Sequence, residues 1–277
     1  MEEVALHPIG RGRAAVFSAG CPGREGANED AAALIPLDEG SAVLAVADGL
    51  GSTPLADHAA SLAVRSLVEA LQSAERERSV LRTAILNGIE RASQAVARLG
   101  TGSATTLTVA EIQEDVVRSY HVGDSLLVLV GQRGRIKFQS VSHSPVGFAF
   151  ESGLLDEREA MHHEDRHLVS NVLGARDMRI EMGPLLHLAA HDTLLLASDG
   201  LSDNLRIEEI VALLRTGPLD AACERLAELA RARMYAPGEG EPCKPDDLTF
   251  VAFRGTAATR APRAARSSRA RRSSHDR

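Results

Sequence analysis

One apolar segment that ends in an acidic residue constrains this chain more than any other. Residues 43–47 read Val-Leu-Ala-Val-Ala, and Asp48 and Gly49 follow directly. Five consecutive apolar residues, two of them β-branched, predict a strand that is buried on both faces. A carboxylate at the end of such a strand is unfavourable unless something pairs with it. The segment therefore predicts a buried strand that delivers Asp48 to a polar partner.

The same pattern recurs late in the chain. Residues 193–197 read Thr-Leu-Leu-Leu-Ala, and Ser198, Asp199 and Gly200 follow. Two buried strands that end in Asp-Gly would present oxygen ligands for a hard divalent cation from a rigid scaffold. Asp-Gly is also a common turn dipeptide. Each copy taken alone therefore remains open to the simpler interpretation.

Composition describes an ordinary soluble protein. The 277 residues are 44% apolar and 25% charged, enough for one large α/β domain or two small ones. The three cysteines are odd in number and have no C-x-x-C spacing, which indicates a reducing compartment. No segment resembles a signal peptide, and no apolar run approaches the ~20 residues of a membrane span. We expect a cytoplasmic protein without a membrane partner.

Charge is distributed unevenly along the chain. Residues 255–277 hold seven arginines and one acid, a net charge of +6. Because the whole chain carries −7, residues 1–254 carry about −13. An acidic body argues against nucleic acid as the main partner and favours the binding of cations. The basic tail has no apolar pattern and no aromatic residue to stack on bases. We therefore predict a folded region over 1–254 and a disordered Arg/Ser-rich tail over 255–277.

Hydrophobic periodicity places the regular elements. Helical spacing predicts helices over 54–73, 79–99, 206–215 and 219–234. Alternating or β-branched runs predict further strands over 13–19, 105–112, 116–122, 126–130, 136–139 and 250–253. The close spacing from 105 to 139 favours an antiparallel meander, in which Gly123-Asp124-Ser125 could be a plain hairpin turn. Residues 143–192 are irregular and predict a mobile flap, and their histidines lack the spacing of a zinc site.

Five aspartates lie where a predicted strand meets a loop: Asp30, Asp48, Asp124, Asp199 and Asp246. If strands from two sheets converge, these like charges cannot all ionise without compensation. Two or three divalent cations would supply it, and all-oxygen ligands select Mg²⁺ or Mn²⁺. Two such ions about 4 Å apart can activate a water for attack on phosphorus. The hypothesis is metal-assisted hydrolysis of a phosphate ester.

Six short motifs occur in an order that has a known counterpart. They are Asn28-Glu29-Asp30, Asp48-Gly49-Leu50-Gly51, Gly102-Ser103-Ala104-Thr105, Gly123-Asp124-Ser125, Ser198-Asp199-Gly200-Leu201-x-Asp203 and Asp246-Asp247-Leu248-Thr249. Each is weak alone, but the ordered set resembles the metal-dependent Ser/Thr protein phosphatases of type 2C in their compact bacterial form. The resemblance covers roughly residues 13–254. It implies an α+β fold, a four-layer α/β/β/α sandwich of two central antiparallel β-sheets flanked by helix pairs.

The resemblance also assigns roles. It implies a metal site formed by Asp30, Asp48, Gly49, Asp124, Asp199 and Asp246. Asp48 would bridge two metals and the Gly49 carbonyl would join the second, while Asp199 and Asp246 would complete the shell of the first. Asp30 would act through waters, and Asp124 would serve a third, looser site. The implied catalytic residues are Asp48, Asp199, Asp246 and Arg24, and the flap would shape substrate entry.

Four positions depart from the family pattern. Arg24, the implied phosphate-gripping arginine, lies six residues before Asp30 rather than five. Leu50 stands where some members carry a histidine that protonates the leaving group, which predicts a modest rate. Ser52 replaces a common glycine and narrows backbone freedom. Leu126 replaces a usual arginine, a change that we expect to be structural.

The resemblance implies a monomeric enzyme that hydrolyses phosphoserine or phosphothreonine in proteins and opposes a Ser/Thr kinase. A second hypothesis is a catalytically silent member that binds a phosphoprotein or regulates a partner. Because all the core acids are present, activity is the favoured reading.

The tail offers a first test. We expect deletion of residues 257–277 to leave turnover of a small aryl phosphate within about twofold, since an unpatterned polar segment has no means of packing on a core strand. Turnover by the truncated and full-length proteins at equal concentration measures this. A collapse in rate would show that the tail contributes to the site.

Overall fold

The computed structural model describes residues 3–51, 55–77, 80–100 and 102–256, so Ser52 and the tail beyond Thr256 lie outside the described residues. The strands are β1 (Ala5–Ile9), β2 (Gly12–Ala19), β3 (Asp30–Pro36), β4 (Ser41–Asp48), β5 (Leu107–Gln113), β6 (Val116–Val122), β7 (Leu126–Val130), β8 (Ile136–Gln139), β9 (Glu181–Met182), β10 (Leu186–His187), β11 (Thr193–Ala197) and β12 (Leu248–Gly255). The helices are α1 (Ala56–Glu77), α2 (Leu81–Ala97), α3 (Pro145–Glu151), α4 (Glu157–Met161), α5 (Asp199–Ser202), α6 (Ile207–Leu214) and α7 (Leu219–Tyr235), with a 3₁₀ turn at Glu164–His167. Among the helices of these described segments, none has the length and apolar character needed to cross a bilayer.

The strands form two antiparallel sheets. The first sheet has the order β1-β2-β12-β11-β7-β8 and the second has the order β10-β6-β5-β4-β3, with β9 also paired to β6. The two strands that end in Asp-Gly therefore lie in different sheets, β4 in the second and β11 in the first. Both are interior strands, and residues 43–47 are fully buried, as their apolar run predicts.

Three apolar clusters show how the layers pack. Helices α6 and α7 cover the outer face of the first sheet, where Leu226 and Ala230 belong to one buried cluster with Phe17 and Phe250. Helices α1 and α2 cover the outer face of the second sheet. Between the sheets lies a third cluster that includes Leu44. The predicted four-layer α/β/β/α sandwich is confirmed.

The expected meander is wrong at its central connection. Strands β5 and β6 pair with each other, and so do β7 and β8, but β6 belongs to the second sheet and β7 to the first. Gly123-Asp124-Ser125 is therefore the crossing between the two sheets and not a hairpin turn. The sequence could not show this, because a short turn signal between two buried strands does not reveal whether those strands pair.

Strands β1 and β3, and several elements of the flap, were not predicted from the sequence. Strand β3 is alanine-rich at Ala31, Ala32 and Ala33, a composition with low β-propensity. The segment 143–192 contains α3 and α4 rather than an irregular loop. Ser144 before Pro145 caps α3, and a reciprocal Asp156–Glu159 capping box begins α4. Both signatures are visible in the sequence.

The interior between the sheets should dominate stability. We expect Leu44→Ala to lower the free energy of unfolding by about 2–5 kcal/mol, since it leaves a cavity between two sheets that cannot collapse freely. Urea denaturation measures the change. The matched control is Leu154→Ala, whose side chain is 78% exposed and which should change stability little. Equal effects of the two substitutions would contradict this packing.

Candidate active site

The antiparallel pairing of β3 with β4 brings the first two acids together. Asp30 stands directly opposite Asp48 in the register of these strands. Ser198, at the end of β11, donates a hydrogen bond of 2.8 Å from its Oγ to Asp30 Oδ2. This contact connects the second sheet to the first. The other oxygen, Asp30 Oδ1, is buried and has no hydrogen-bond partner among the residues that the structure describes.

Two threonines fix the backbone of Asp48. The Thr105 hydroxyl donates to the Asp48 carbonyl oxygen at 2.8 Å, and the Asp48 amide donates to Thr106 Oγ1 at 3.0 Å. Thr106 Oγ1 also lies 2.7 Å from the hydroxyl oxygen of Ser125. The motif that ends in Thr105 therefore acts through Asp48, and Ser125 ties the crossing segment to the same network.

Both glycines that follow a site aspartate are required by close backbone approach. A Cβ at Gly49 would collide with the carbonyl oxygen of Ala56, and a Cβ at Gly200 would collide with the carbonyl oxygen of Asp247. Neither glycine has a positive φ. Tight packing against a neighbouring segment, rather than conformational freedom, explains the two Asp-Gly pairs.

Asp247 organises the loop that carries Arg24. Its carboxylate accepts hydrogen bonds from the amides of Cys21 at 2.6 Å and Glu29 at 2.7 Å. It also forms an ion pair with Arg24, whose Nη1 donates to Glu29 at 3.0 Å. The extra residue between Arg24 and Asp30 therefore leaves the guanidinium at the site, held by two carboxylates.

These elements enclose a cleft of about 350 Å³ at one edge of the sandwich. It is lined by Arg24, Glu29, Asp48, Gly49, Leu50, Gly51, Thr106, Asp124, His167, Val169, Asp199, Lys244, Pro245, Asp246 and Asp247. The cleft thus brings together every predicted site residue except Asp30, which lies behind it against Ser198. Flap residues His167 and Val169 also reach it. Leu50 lines the cleft, and Leu126 packs in the core beneath α6 and α7, as expected for a structural replacement.

Lys244 was not predicted as a site residue from the sequence. Its ammonium lies 2.5 Å from Asp199 Oδ2, 2.9 Å from Asp203 Oδ2 and 3.2 Å from Asp246 Oδ2. A signal was available, because the chain contains only two lysines among 31 basic residues and one of them stands two positions before Asp246.

Asp30, Asp48, Asp124, Asp199, Asp203 and Asp246, here called the acidic cluster, perturb one another. Burial, reinforced by the negative charge of Asp30, raises the pKa of Asp48 well above its ordinary value. Burial, with the charges of Asp199 and Asp203, raises the pKa of Asp124 to about 8. Burial lowers the pKa of Lys244, but the surrounding carboxylates outweigh it and hold that pKa above its usual range. The cluster therefore attracts positive charge.

The residues present fit a hard divalent cation. All the side chains of the acidic cluster offer oxygen ligands, and Asp30 Oδ1 is a buried acceptor without a donor. Among the described residues, no three His, Cys, Asp or Glu side chains already converge as a ready-made ligand set. In this arrangement the ammonium of Lys244 contacts three of the acids that could hold an ion.

Comparison with known proteins identifies the family. A family model described as protein phosphatase 2C matches residues 23–233. The chain belongs to the protein phosphatase 2C family. The family predicted from the six motifs is confirmed, as is the prediction that the protein is a phosphatase.

Individual relatives agree with this phosphatase assignment. The Ser/Thr phosphatase Stp of Listeria monocytogenes is 29% identical over 201 residues, which cover 68% of this chain and 79% of the relative. The crystal structure of the PPM Ser/Thr phosphatase MsPP from Mycobacterium smegmatis, in complex with cacodylate, aligns with a TM-score of 0.72 at 27% identity, over 87% of this chain and 97% of MsPP. The catalytic domain of the Ser/Thr protein phosphatase PstP shares the fold alone, with a TM-score of 0.70 at 24% identity, over 88% of this chain and 98% of the domain.

The acidic cluster predicts an unusual pH dependence for the metal-free phosphatase. Because the pKa of Asp124 rises to about 8 on folding, the folded chain retains protons that the unfolded chain has lost. Stability should therefore fall as pH rises from 7 through 8. Below that window the buried His121, whose pKa burial lowers to about 3, contributes the opposite slope.

Urea midpoints of chelator-treated protein between pH 7 and about pH 8.5 measure this slope. Asp124→Asn should make it shallower, since the amide does not titrate. Saturating Mn²⁺ should oppose the fall in stability, because a metal binds the deprotonated carboxylates. Metal-free protein that became more stable over this window would contradict the description.

Proposed function

We propose that this phosphatase hydrolyses phosphoserine and phosphothreonine in proteins by means of a binuclear Mn²⁺ or Mg²⁺ centre held by the acidic cluster. The observation that carries the proposal is the convergence of carboxylates from both sheets on one cleft. Family membership supports it, and the related PstP catalytic domain contains two manganese ions. Its physiological partner would be a protein phosphorylated by a Ser/Thr kinase.

Each acid has a distinct proposed task. Asp48, which lines the cleft, would hold both cations, and the Gly49 carbonyl would contribute to one of them. Asp199 and Asp246 would complete the other shell. When bound, such cations lower the pKa of a water and offset charge on phosphoryl oxygens. The chain itself fixes the backbone of Asp48 through its hydrogen bonds with Thr105 and Thr106.

Asp30 and Asp124 would hold the periphery of the centre. Asp30 reaches it from behind, with one oxygen fixed by Ser198 and the other still available as an acceptor. A water between Asp30 Oδ1 and a cation would satisfy that buried acceptor. Asp124, on the crossing between sheets, would serve a third and looser site.

Arg24 would orient the phosphate. Its guanidinium lines the cleft beside Glu29 and Asp247, and guanidinium groups bind phosphate oxygens in a bidentate manner. Asp247 and Glu29 keep the side chain in place. These two acids also reduce the positive charge available to a substrate. Together with Leu50 in place of a proton-donating histidine, this favours a modest turnover rate.

The flap would control access to the cleft, since His167 and Val169 line one wall. The proposal also includes a phosphatase domain over residues 1–254 and a tail over residues 255–277, of which Gly255 is the last residue of β12. The alternative function is a silent phosphoprotein-binding module. Retention of every predicted metal-binding acid in or behind one cleft favours the enzyme.

Hydrolysis of a phosphothreonine peptide by purified protein tests the proposal. Turnover should appear with Mn²⁺ or Mg²⁺ and disappear with chelator, because the proposed nucleophile is a water that only a bound metal activates. Turnover that persisted in chelator would contradict metal dependence. Absence of both turnover and metal binding by calorimetry would favour the silent binding module.

One substitution distinguishes the loss of a metal ligand from the loss of any acidic side chain. Asp199→Asn should reduce turnover by about two orders of magnitude or more, since an amide is a poorer metal ligand than a carboxylate. The matched control is Asp115→Asn, at an exposed turn between β5 and β6, where the side chain is 68% exposed. Turnover measured at saturating Mn²⁺ should be unchanged in the control. Unaltered activity in Asp199→Asn would exclude the proposed ligand set.

A further inference from the structure

The side chain of Lys244 occupies the centre of one half of the acidic cluster. Its ammonium contacts Asp199, Asp203 and Asp246, at 2.5, 2.9 and 3.2 Å from one oxygen of each. Two of these three residues are proposed ligands of the same metal. A lysine in the midst of them is therefore a positive charge placed where a cation would bind.

The backbone holds Lys244 in this position. The side-chain amide of Asn204 donates to the Lys244 carbonyl oxygen at 2.8 Å and accepts from the Lys244 amide at 2.9 Å. Asn204 is fully buried, and its amide also donates to the Gly200 carbonyl oxygen at 2.9 Å. On the preceding residue, Arg166 of the flap donates to the Cys243 carbonyl oxygen at 2.9 Å. The position of the lysine is thus built into the fold.

Charge balance shows what the ammonium does there. The acidic cluster carries six carboxylates, and Lys244 is the basic side chain that touches three of them. A divalent ion that binds Asp199 and Asp246 must either share their oxygens with the ammonium or displace it. Sharing places two cations within a few ångströms in a half-buried setting, where their repulsion is strong. Displacement removes three ion pairs.

We propose that Lys244 is a built-in competitor for the metal at Asp199 and Asp246, which stabilises the metal-free cluster and weakens metal binding. The proposal rests on the proposed function for the identity of the ligands. It makes Lys244 a residue that sets the cation concentration at which this phosphatase becomes loaded.

Lysine suits this task better than arginine. Its ammonium is a compact charge on a flexible four-carbon stem, whereas a guanidinium is a rigid fork that pairs with carboxylates through two bonds. Because Asn204 fixes the backbone, the ammonium can leave the carboxylates by changing side-chain rotamers alone. The chain uses arginine at 29 of its 31 basic positions, so the choice of lysine here is specific.

Isothermal titration of Mn²⁺ into metal-free protein tests the proposal. Lys244→Met should tighten binding at the Asp199–Asp246 site by roughly tenfold or more, since it removes a neighbouring like charge. Lys244→Arg, which keeps the charge and can pair with carboxylates through two bonds, should bind Mn²⁺ no more tightly than the unaltered protein. The matched control is Lys137→Met, which removes the other lysine and its ion pair with Asp192. That variant should bind Mn²⁺ as the unaltered protein does.

Thermal melting provides a readout independent of turnover. In chelator, Lys244→Met should melt below the unaltered protein, because the carboxylates lose their counter-charge. Saturating Mn²⁺ should abolish that difference and produce a larger upward shift in the variant. If Lys244→Met does not fold without metal, the same titration of Lys244→Gln decides, since the amide keeps polarity without charge.

Failure of the proposed function and failure of the role of Lys244 would give different results. Unaltered protein that neither binds Mn²⁺ nor hydrolyses the phosphopeptide would contradict the proposed function. Unaltered protein that does both, with metal affinity unchanged or weaker in Lys244→Met and Lys244→Gln, would overturn the role of Lys244 alone.

Discussion

Repulsion among half-buried carboxylates is the constraint on which this structure depends. Two sheets each deliver an Asp-Gly pair to the same edge of the sandwich, and the crossing from β6 to β7 adds Asp124 between them. Burial and mutual charge raise the pKa values of Asp48 and Asp124. The surrounding fold resists this repulsion through tight backbone contacts at Gly49 and Gly200 and through the clamp on Asp48. Such an arrangement stores a demand for positive charge, and a divalent cation meets it.

Much of this could be read from the sequence, for identifiable reasons. The strand at 43–47 and the two helices that follow it, α1 and α2, carry strong apolar patterns, so their positions could be predicted within a few residues. The ordered motifs located the acids in the cleft. The connection at Gly123-Asp124-Ser125 could not be read, because pairing between strands is a tertiary property. Strand β3 was missed because its alanines gain β structure only by pairing with β4.

Lys244 illustrates a different limit. A family motif contains the residues that the chemistry requires, so a residue that opposes metal binding is not part of it. The ammonium of Lys244 contacts the same oxygens that a metal would use. The side chain of Asn204 fixes the backbone of Lys244 through two hydrogen bonds. Besides the protons that the raised pKa values retain, two cations can thus neutralise the site: the Lys244 ammonium and a divalent ion from solution. The balance between them determines how readily the phosphatase is loaded.

The most direct test of this account is a crystal structure of the manganese-loaded protein, with anomalous difference density recorded at the manganese absorption edge. We expect two anomalous peaks in the cleft, one of them beside Asp48, Asp199 and Asp246. The Lys244 ammonium should be turned away from Asp199. Manganese bound elsewhere, or a cleft that stays free of manganese at saturation with Lys244 still on Asp199 and Asp246, would contradict it.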